Sequence, residues 1–233
     1  MKLRYLGDAR DAFKWYLLQY LATETRPPFS GLLVVPMLTS DDPESNEGKT
    51  PPERFPCRPQ MLPFLSRLRA KPRCLKRIEA LGALPDMNRF PVILHKDERL
   101  LGAARRRVEY FSSIPSAPWA GPVLYFLDPD IGFETKTQRG SKWVRHSEVE
   151  SLLLRIPSAS AVMVFQYRPR IAWGDFLGSL RKTCSGYAVG FQAIHESNLA
   201  FVALAREAGE AFERLGDALR SYREAHPGLA LFP

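Results

Sequence analysis

The feature that most constrains the fold is V-L-Y-F-L-D-P-D-I-G-F-E-T-K, Val123 to Lys136. An uninterrupted apolar run stops at Asp128, and Pro129, Asp130, Gly132, Glu134 and Lys136 follow at once. A short apolar run bounded by turn residues is the pattern of a strand covered on both faces, as in a parallel sheet with helices above and below. The sheet must therefore deliver three carboxylates at or just beyond the end of one strand.

The flanking sequence supplies the rest of such a sheet. After a polar loop, Ser147 with Glu150 three residues on predicts a helix with Val149, Leu152, Leu153 and Ile156 on one face. Ala159 to Tyr167 reads as the next buried strand, about Gly174 to Thr183 as a helix, and Tyr187 to Ile194 with Leu199 to Ala205 as a hairpin. A terminal helix spans about Glu207 to Ala225, with Leu215, Leu219 and Tyr222 inward. Upstream, Asp8 caps a helix to Leu21 whose stripe is Phe13, Leu17, Leu18 and Leu21, and Gly31 to Leu38 is a short strand. Residues 39–59 lack a hydrophobic period and read as a loop or insertion. Basic helical segments cover about 60–70 and 72–81, Val92 to His95 is a short strand, and Asp97 to Ile114 a helix burying Leu100, Leu101, Ala104, Val108 and Phe111. The expected class is α/β: Rossmann-like, a mostly parallel sheet with helices on both faces and a C-terminal antiparallel hairpin, in a single domain over residues 1–233.

Charge and cysteine content narrow the setting. Thirty-three Lys and Arg against 25 Asp and Glu give a net charge of +8, concentrated at 67–77, at Arg105–Arg107, and at Arg168 and Arg170. Such clusters favour polyanions, and nucleic acid or another phosphate-bearing substrate is the expected partner. Three scattered cysteines outline neither a disulfide framework nor a zinc ribbon. The cysteine usage fits a reducing cytoplasm, and no apolar run is long enough to cross a bilayer, so a cytoplasmic protein with no membrane partner is expected.

Ligands of open parallel sheets sit beyond the carboxyl ends of the strands. Asp128 and Asp130 lie at such an end, stiffened by Pro129, and Phe165-Gln166-Tyr167-Arg168-Pro169-Arg170 ends the next strand with an amide, a phenol and two guanidinium groups. An acidic and a basic tip on one rim form a candidate cleft. Asp128, Asp130, Glu134 and Gln166 are its candidate catalytic groups, and Tyr167, Arg168, Arg170 and Lys136 its candidate substrate-binding groups. Trp143 and Trp173 lie close enough in sequence to stack a base.

The order strand with D-P-x-x-G, helix, strand, helix, hairpin resembles the carboxyl-terminal half of class I S-adenosylmethionine-dependent methyltransferases. F-L-D-P-D-I-G, Phe126 to Gly132, is similar to a signature of bacterial methyltransferase-like proteins that include the three-Cys-motif partner proteins, and K-W-Y-L-L-Q-Y-L, Lys14 to Leu21, resembles their first helix. The resemblance implies methyl transfer from S-adenosylmethionine, with Asp128 contacting substrate or donor; Asp8 and Lys14 of the first helix are further candidate substrate-binding residues. No G-x-G turn follows the first strand, where Thr39-Ser40-Asp41-Asp42-Pro43 stands instead. Two other readings use the same residues: a Mg²⁺-dependent phosphodiester hydrolase using Asp128, Asp130 and Glu134, with the metal on Asp128 and Asp130, and a catalytically inert nucleic-acid-binding module.

Overall fold

The computed structural model describes residues 1–25, 28–40, 50–54, 59–87, 90–95 and 104–232. In chain order its elements are α1 (Ala9–Glu24), β1 (Gly31–Pro36), α2 (Met61–Arg69), a 3₁₀ helix (Leu75–Ala83), β2 (Val92–Leu94), α3 (Ala104–Ser112), β3 (Val123–Asp128), β4 (Gly132–Phe133) and β5 (Trp143–Val144). Then come α4 (His146–Arg155), β6 (Ala161–Tyr167), α5 (Trp173–Cys184), β7 (Gly190–His195), β8 (Leu199–Ala205), α6 (Glu210–Ala225) and β9 (Ala230–Phe232). The main sheet has seven strands in the order β2-β1-β3-β6-β8-β7-β9. β2, β1, β3 and β6 are parallel, whereas β8 runs antiparallel to both β6 and β7, and β9 antiparallel to β7.

The two-residue period of the strands divides the core. Leu32, Val34, Leu124, Phe126, Met163 and Phe165 join α1, α2, the 3₁₀ helix and α6 on one face, and Leu33, Val35, Tyr125, Leu127, Val162 and Val164 join α3, α4 and α5 on the other. Both faces are covered, which is why β1 and β3 are apolar at every position before their ends. The chain leaves β1 for β2 on one side and returns to β3 on the other. The carboxyl ends of β1 and β3 thus flank a topological switch point, where α/β sheets place their crevice.

Several expectations change in the structure. α4 begins at His146, because Glu148 Oε2 accepts the Arg145 N–H at 2.8 Å, so Ser147 and Glu150 do not cap it. Val108 points outward at 66% exposure, while the Arg107 guanidinium is buried against Glu148 and the Trp143 carbonyl. Leu100 and Leu101, and much of the expected 39–59 loop, fall outside the described residues. The parallel β4–β5 pair and β9 escaped the sequence pattern because two or three residues carry no period. No helix among the described residues is long and apolar enough to cross a membrane.

α1 is buried on nearly all sides: besides its expected stripe, Trp15, Lys14, Asp11 and Gln19 are enclosed. Gln19 is 1% exposed and neither end of its amide meets a hydrogen-bond partner among the described residues. An unsatisfied buried amide costs about 1–3 kcal/mol. Gln19→Leu is therefore expected to raise the free energy of unfolding by about that amount in urea titration, and an unchanged or lower midpoint would contradict it.

Candidate functional site

The first turn of α1 is built to carry charge. Asp8 is its N-cap, with Oδ1 accepting the Arg10 and Asp11 amides at 2.9 Å each. Asp11 Oδ2 reaches back to the Gly7 N–H at 2.8 Å. Gly7 has φ +81°, and a Cβ there would lie 2.6 Å from the Leu65 carbonyl oxygen, so only glycine lets this turn pack on α2. Asp8, Asp11 and Lys14 recur every three residues and share one face of the helix.

That face meets the end of β3. Lys14 Nζ lies 2.7 Å from Asp11 Oδ1 and 2.8 Å from Asp128 Oδ2, with both side chains of the second pair nearly inaccessible. The rings of Trp15 and Phe165 lie 5.3 and 5.4 Å from the ammonium. Burial alone lowers the affinity of Lys14 for its proton, but the Asp11 and Asp128 carboxylates together raise it well above the usual lysine range. Burial pushes Asp128 up and Lys14 opposes the shift. At 2.8 Å the two are in direct salt-bridge contact. Asp128 is therefore a framework carboxylate, and its partner is Lys14 rather than Arg168 or Arg170.

Pro129 turns the chain so that the next carboxylate faces another way. Asp130 is half-buried on the rim and accepts a hydrogen bond from Thr39 Oγ1 at 3.2 Å, across the switch point from the end of β1. Met1 lies over the same crevice: its amino group donates to the Met37 carbonyl at 2.8 Å, and its carbonyl accepts from the Thr39 N–H at 2.9 Å. Tyr110 closes the far side through a 2.5 Å hydrogen bond to the Pro36 carbonyl. At the β6 end the Tyr167 N–H donates to the Ile131 carbonyl, so the acidic tip and the β6 tip are joined on one rim. Arg10 stacks on the Tyr167 ring at 4.8 Å and its Nη2 is 3.3 Å from the hydroxyl. A cavity of about 30 Å³ remains, lined by Met1, Arg10, Lys14, Asp130, Phe165 and Tyr167 among others, room for about two waters.

The other expected site residues divide by place. Gln166 is buried and engaged at both ends by backbone, accepting the Phe133 N–H at 2.8 Å and donating to the Tyr167 carbonyl at 2.7 Å. Gly132, at φ +141°, lets Gln166 approach: a Cβ would lie 2.2 Å from its Oε1. This amide clamps β4 onto β6. Arg168 and Arg170 are exposed just beyond the rim and form no ion pair among the described residues. Glu134 and Lys136 are not beside Asp130 but line a separate groove of about 520 Å³. Trp173 stacks on His195 at 5.2 Å, and the Trp143 carbonyl serves Arg107. No three His, Cys, Asp or Glu side chains gather as a metal-ligand set among the described residues. Arg10, Asp11, Thr39 and Tyr110 are not among the site residues expected from sequence; the D-x-x-D-x-x-K spacing of Asp8, Asp11 and Lys14 was the available signal.

No family model matches the chain, and no curated protein matches it.

Two expectations test this electrostatic frame. Lys14→Met leaves two buried carboxylates without their cation and should cost about 3–5 kcal/mol in chemical denaturation, with Asp128→Asn added on top recovering part of the loss. If Lys14→Met unfolds at the wild-type midpoint, the triad is not a framework. Asp8 is raised from 3.8 to about 6, by burial first and by the Asp11 charge second. A folded pKa above the unfolded one means that its contribution to stability is complete below pH 4 and is lost as pH rises through 6. Asparagine caps a helix equally well and has no proton to lose. Asp8→Asn should therefore gain roughly 1–3 kcal/mol over wild type at pH 8 and nothing at pH 4, read from melting curves at the two pH values.

Proposed function

We propose that the protein acts on a nucleotide-like substrate, nucleic acid foremost, at the rim formed by the carboxyl ends of β1, β3 and β6. One observation carries this reading: the D-P-D segment gives its first carboxylate to the framework and sets its second on the rim, next to the Arg10–Tyr167 stack. A rim carboxylate accepts a hydrogen bond from an exocyclic amine, an aromatic face takes the flat side of a base, and unpaired guanidinium groups meet phosphate. In the reaction Asp130 orients the amine or hydroxyl and is the reachable proton acceptor. Asp128 and Lys14 fix its position, and Arg168 and Arg170 meet the phosphates outside.

The strand order supports the methyltransferase-like, Rossmann-type architecture that the sequence resembles, since β8 enters antiparallel between β6 and β7 after β3-α4-β6-α5. Methyl transfer is the reaction class that this resemblance implies. The residues at the switch point do not fit S-adenosylmethionine, however. Met37, Leu38 and Thr39 follow β1 without a glycine turn, the Met1 backbone is bonded into the crevice, and about 30 Å³ is far below the volume of a nucleoside. The hydrolase reading lacks its third carboxylate, because Glu134 lies in the other groove and the Lys14 ammonium already sits on Asp128.

Fluorescence anisotropy with a labelled oligonucleotide, alongside melting curves with nucleoside monophosphates and with S-adenosylmethionine, tests the proposal. The oligonucleotide and the monophosphates should bind, Asp130→Asn should weaken both by roughly ten- to a hundredfold, the loss of one hydrogen bond to a charged group, and S-adenosylmethionine alone should leave the melting midpoint in place. Absence of nucleotide binding, or binding indifferent to Asp130→Asn, would overturn the reading.

A further inference from the structure

The groove holding Glu134 and Lys136 has a composition unlike the rim. One wall is the β4–β5 excursion, with Thr135, Lys136, Thr137 and Arg139, and the opposite wall is α5, with Phe176, Ser179, Leu180 and Thr183. Ile171, 56% exposed, stands at its mouth. His146 forms part of the floor, its ring stacked on Phe133 at 5.3 Å and its Nδ1 3.0 Å from the Tyr187 hydroxyl. Lys136 and Arg139 are exposed and form no ion pair among the described residues. Two open cations and several hydroxyl groups thus face an apolar wall across about 520 Å³, the size of a small-ligand site.

Its position links it to the rim. Three residues, Ile131, Gly132 and Phe133, separate Asp130 from Glu134, so the two lie within about 14 Å along an extended chain, and Gln166 holds the intervening β4 strand fixed on β6. A flexible polyanion with a flat apolar group at each repeat matches both places: phosphates along Lys136 and Arg139, a base against the exposed Ile171 and the outer edges of the buried Phe176 and Leu180, and the next nucleotide at Asp130. Glu134, beside His146, meets base N–H groups and disfavours a phosphate at that point. The groove admits one base with its sugar and phosphate and not two paired strands.

We propose, resting on the reading of the rim given above, that the substrate is single-stranded nucleic acid and that this groove binds a nucleotide neighbouring the one presented to Asp130. Stacking walls together with a cationic edge are how single strands are held without sequence readout.

Anisotropy titrations with a labelled single-stranded oligonucleotide, its duplex form and a labelled mononucleotide separate this inference from the reading beneath it. The double variant Lys136→Ala/Arg139→Ala should weaken the single strand at least tenfold, reduce the dependence of log affinity on log salt by roughly 1.4, as expected for two lost phosphate contacts, and weaken the mononucleotide, which can also bind at Asp130, less than the single strand. Ser179→Trp, which fills the groove without touching charge, should reproduce the loss. Circular dichroism confirms that both variants fold. If both variants bind the single strand like wild type while Asp130→Asn does not, the groove is unused and the rim reading survives. A duplex that binds as tightly as the single strand also overturns the inference. Failure of every nucleic acid to bind wild type removes both.

Discussion

The Lys14 ammonium held between Asp11 and Asp128 is the interaction on which the arrangement of this molecule depends. A charge is buried in a protein only when it is paired and hydrogen-bonded, and here one cation serves carboxylates from two elements far apart in sequence. Asp11 belongs to the first turn of α1 and Asp128 to the last residue of β3. Joining them fixes the roll of α1 over the sheet, because a rotation that removed Lys14 from Asp128 would strand a charge under Trp15 and Phe165. The pair is weak as a source of stability and strong as a specification of register.

From that fixed roll the rest of the rim follows. Asp8 must turn its carboxylate back onto the helix amides, which places it against Asp11 in a buried setting and accounts for its raised pKa. Arg10, two residues on, is brought over Tyr167. Gly7 allows the chain to enter this turn between α2 and the sheet, so that Met1 comes to lie on Met37 and Thr39. The crevice at the switch point is therefore largely filled by Met1, and Asp130 and Tyr167 stand at its outer edge.

The main strands were legible because five or more apolar residues in succession have few alternatives to a covered strand, and Ala161–Tyr167 and Leu199–Ala205 end within two residues of where their apolar runs end. α1 was legible from its Asp8 cap, and its depth was not: a helix covered by sheet, α2 and α6 together has no single apolar stripe, and polar residues such as Gln19 and Lys14 were enclosed with the rest. The candidate site was legible in its acidic half, since carboxylates at a strand end are a local pattern. Its cationic half was assigned to Arg168 and Arg170 because they end the neighbouring strand, whereas the charge that meets Asp128 comes from a helix 114 positions away. Nearness in sequence grouped Glu134 with Asp130, and the β4–β5 pair, too short to leave a period, separates them.

That separation depends on one amide. β4 is a two-residue strand at the edge of nothing larger than β5, and it has too little hydrogen bonding of its own to stand at a defined angle to the main sheet. Gln166 supplies the missing constraint by taking the Phe133 N–H while its own NH₂ is held by the Tyr167 carbonyl, and Gly132 is the residue that lets the two approach. Phe133 then lies under His146, whose Nδ1 is tied through the Tyr187 hydroxyl to the buried Cys184 thiol on α5. The wall of the groove and the rim are thus linked from α5 to β6 by hydrogen bonds at either end and by the Phe133–His146 stack between them. A side chain that reads in sequence as a catalytic amide instead sets the distance between the acidic rim and the cationic groove, and a substrate spanning both has to match that distance.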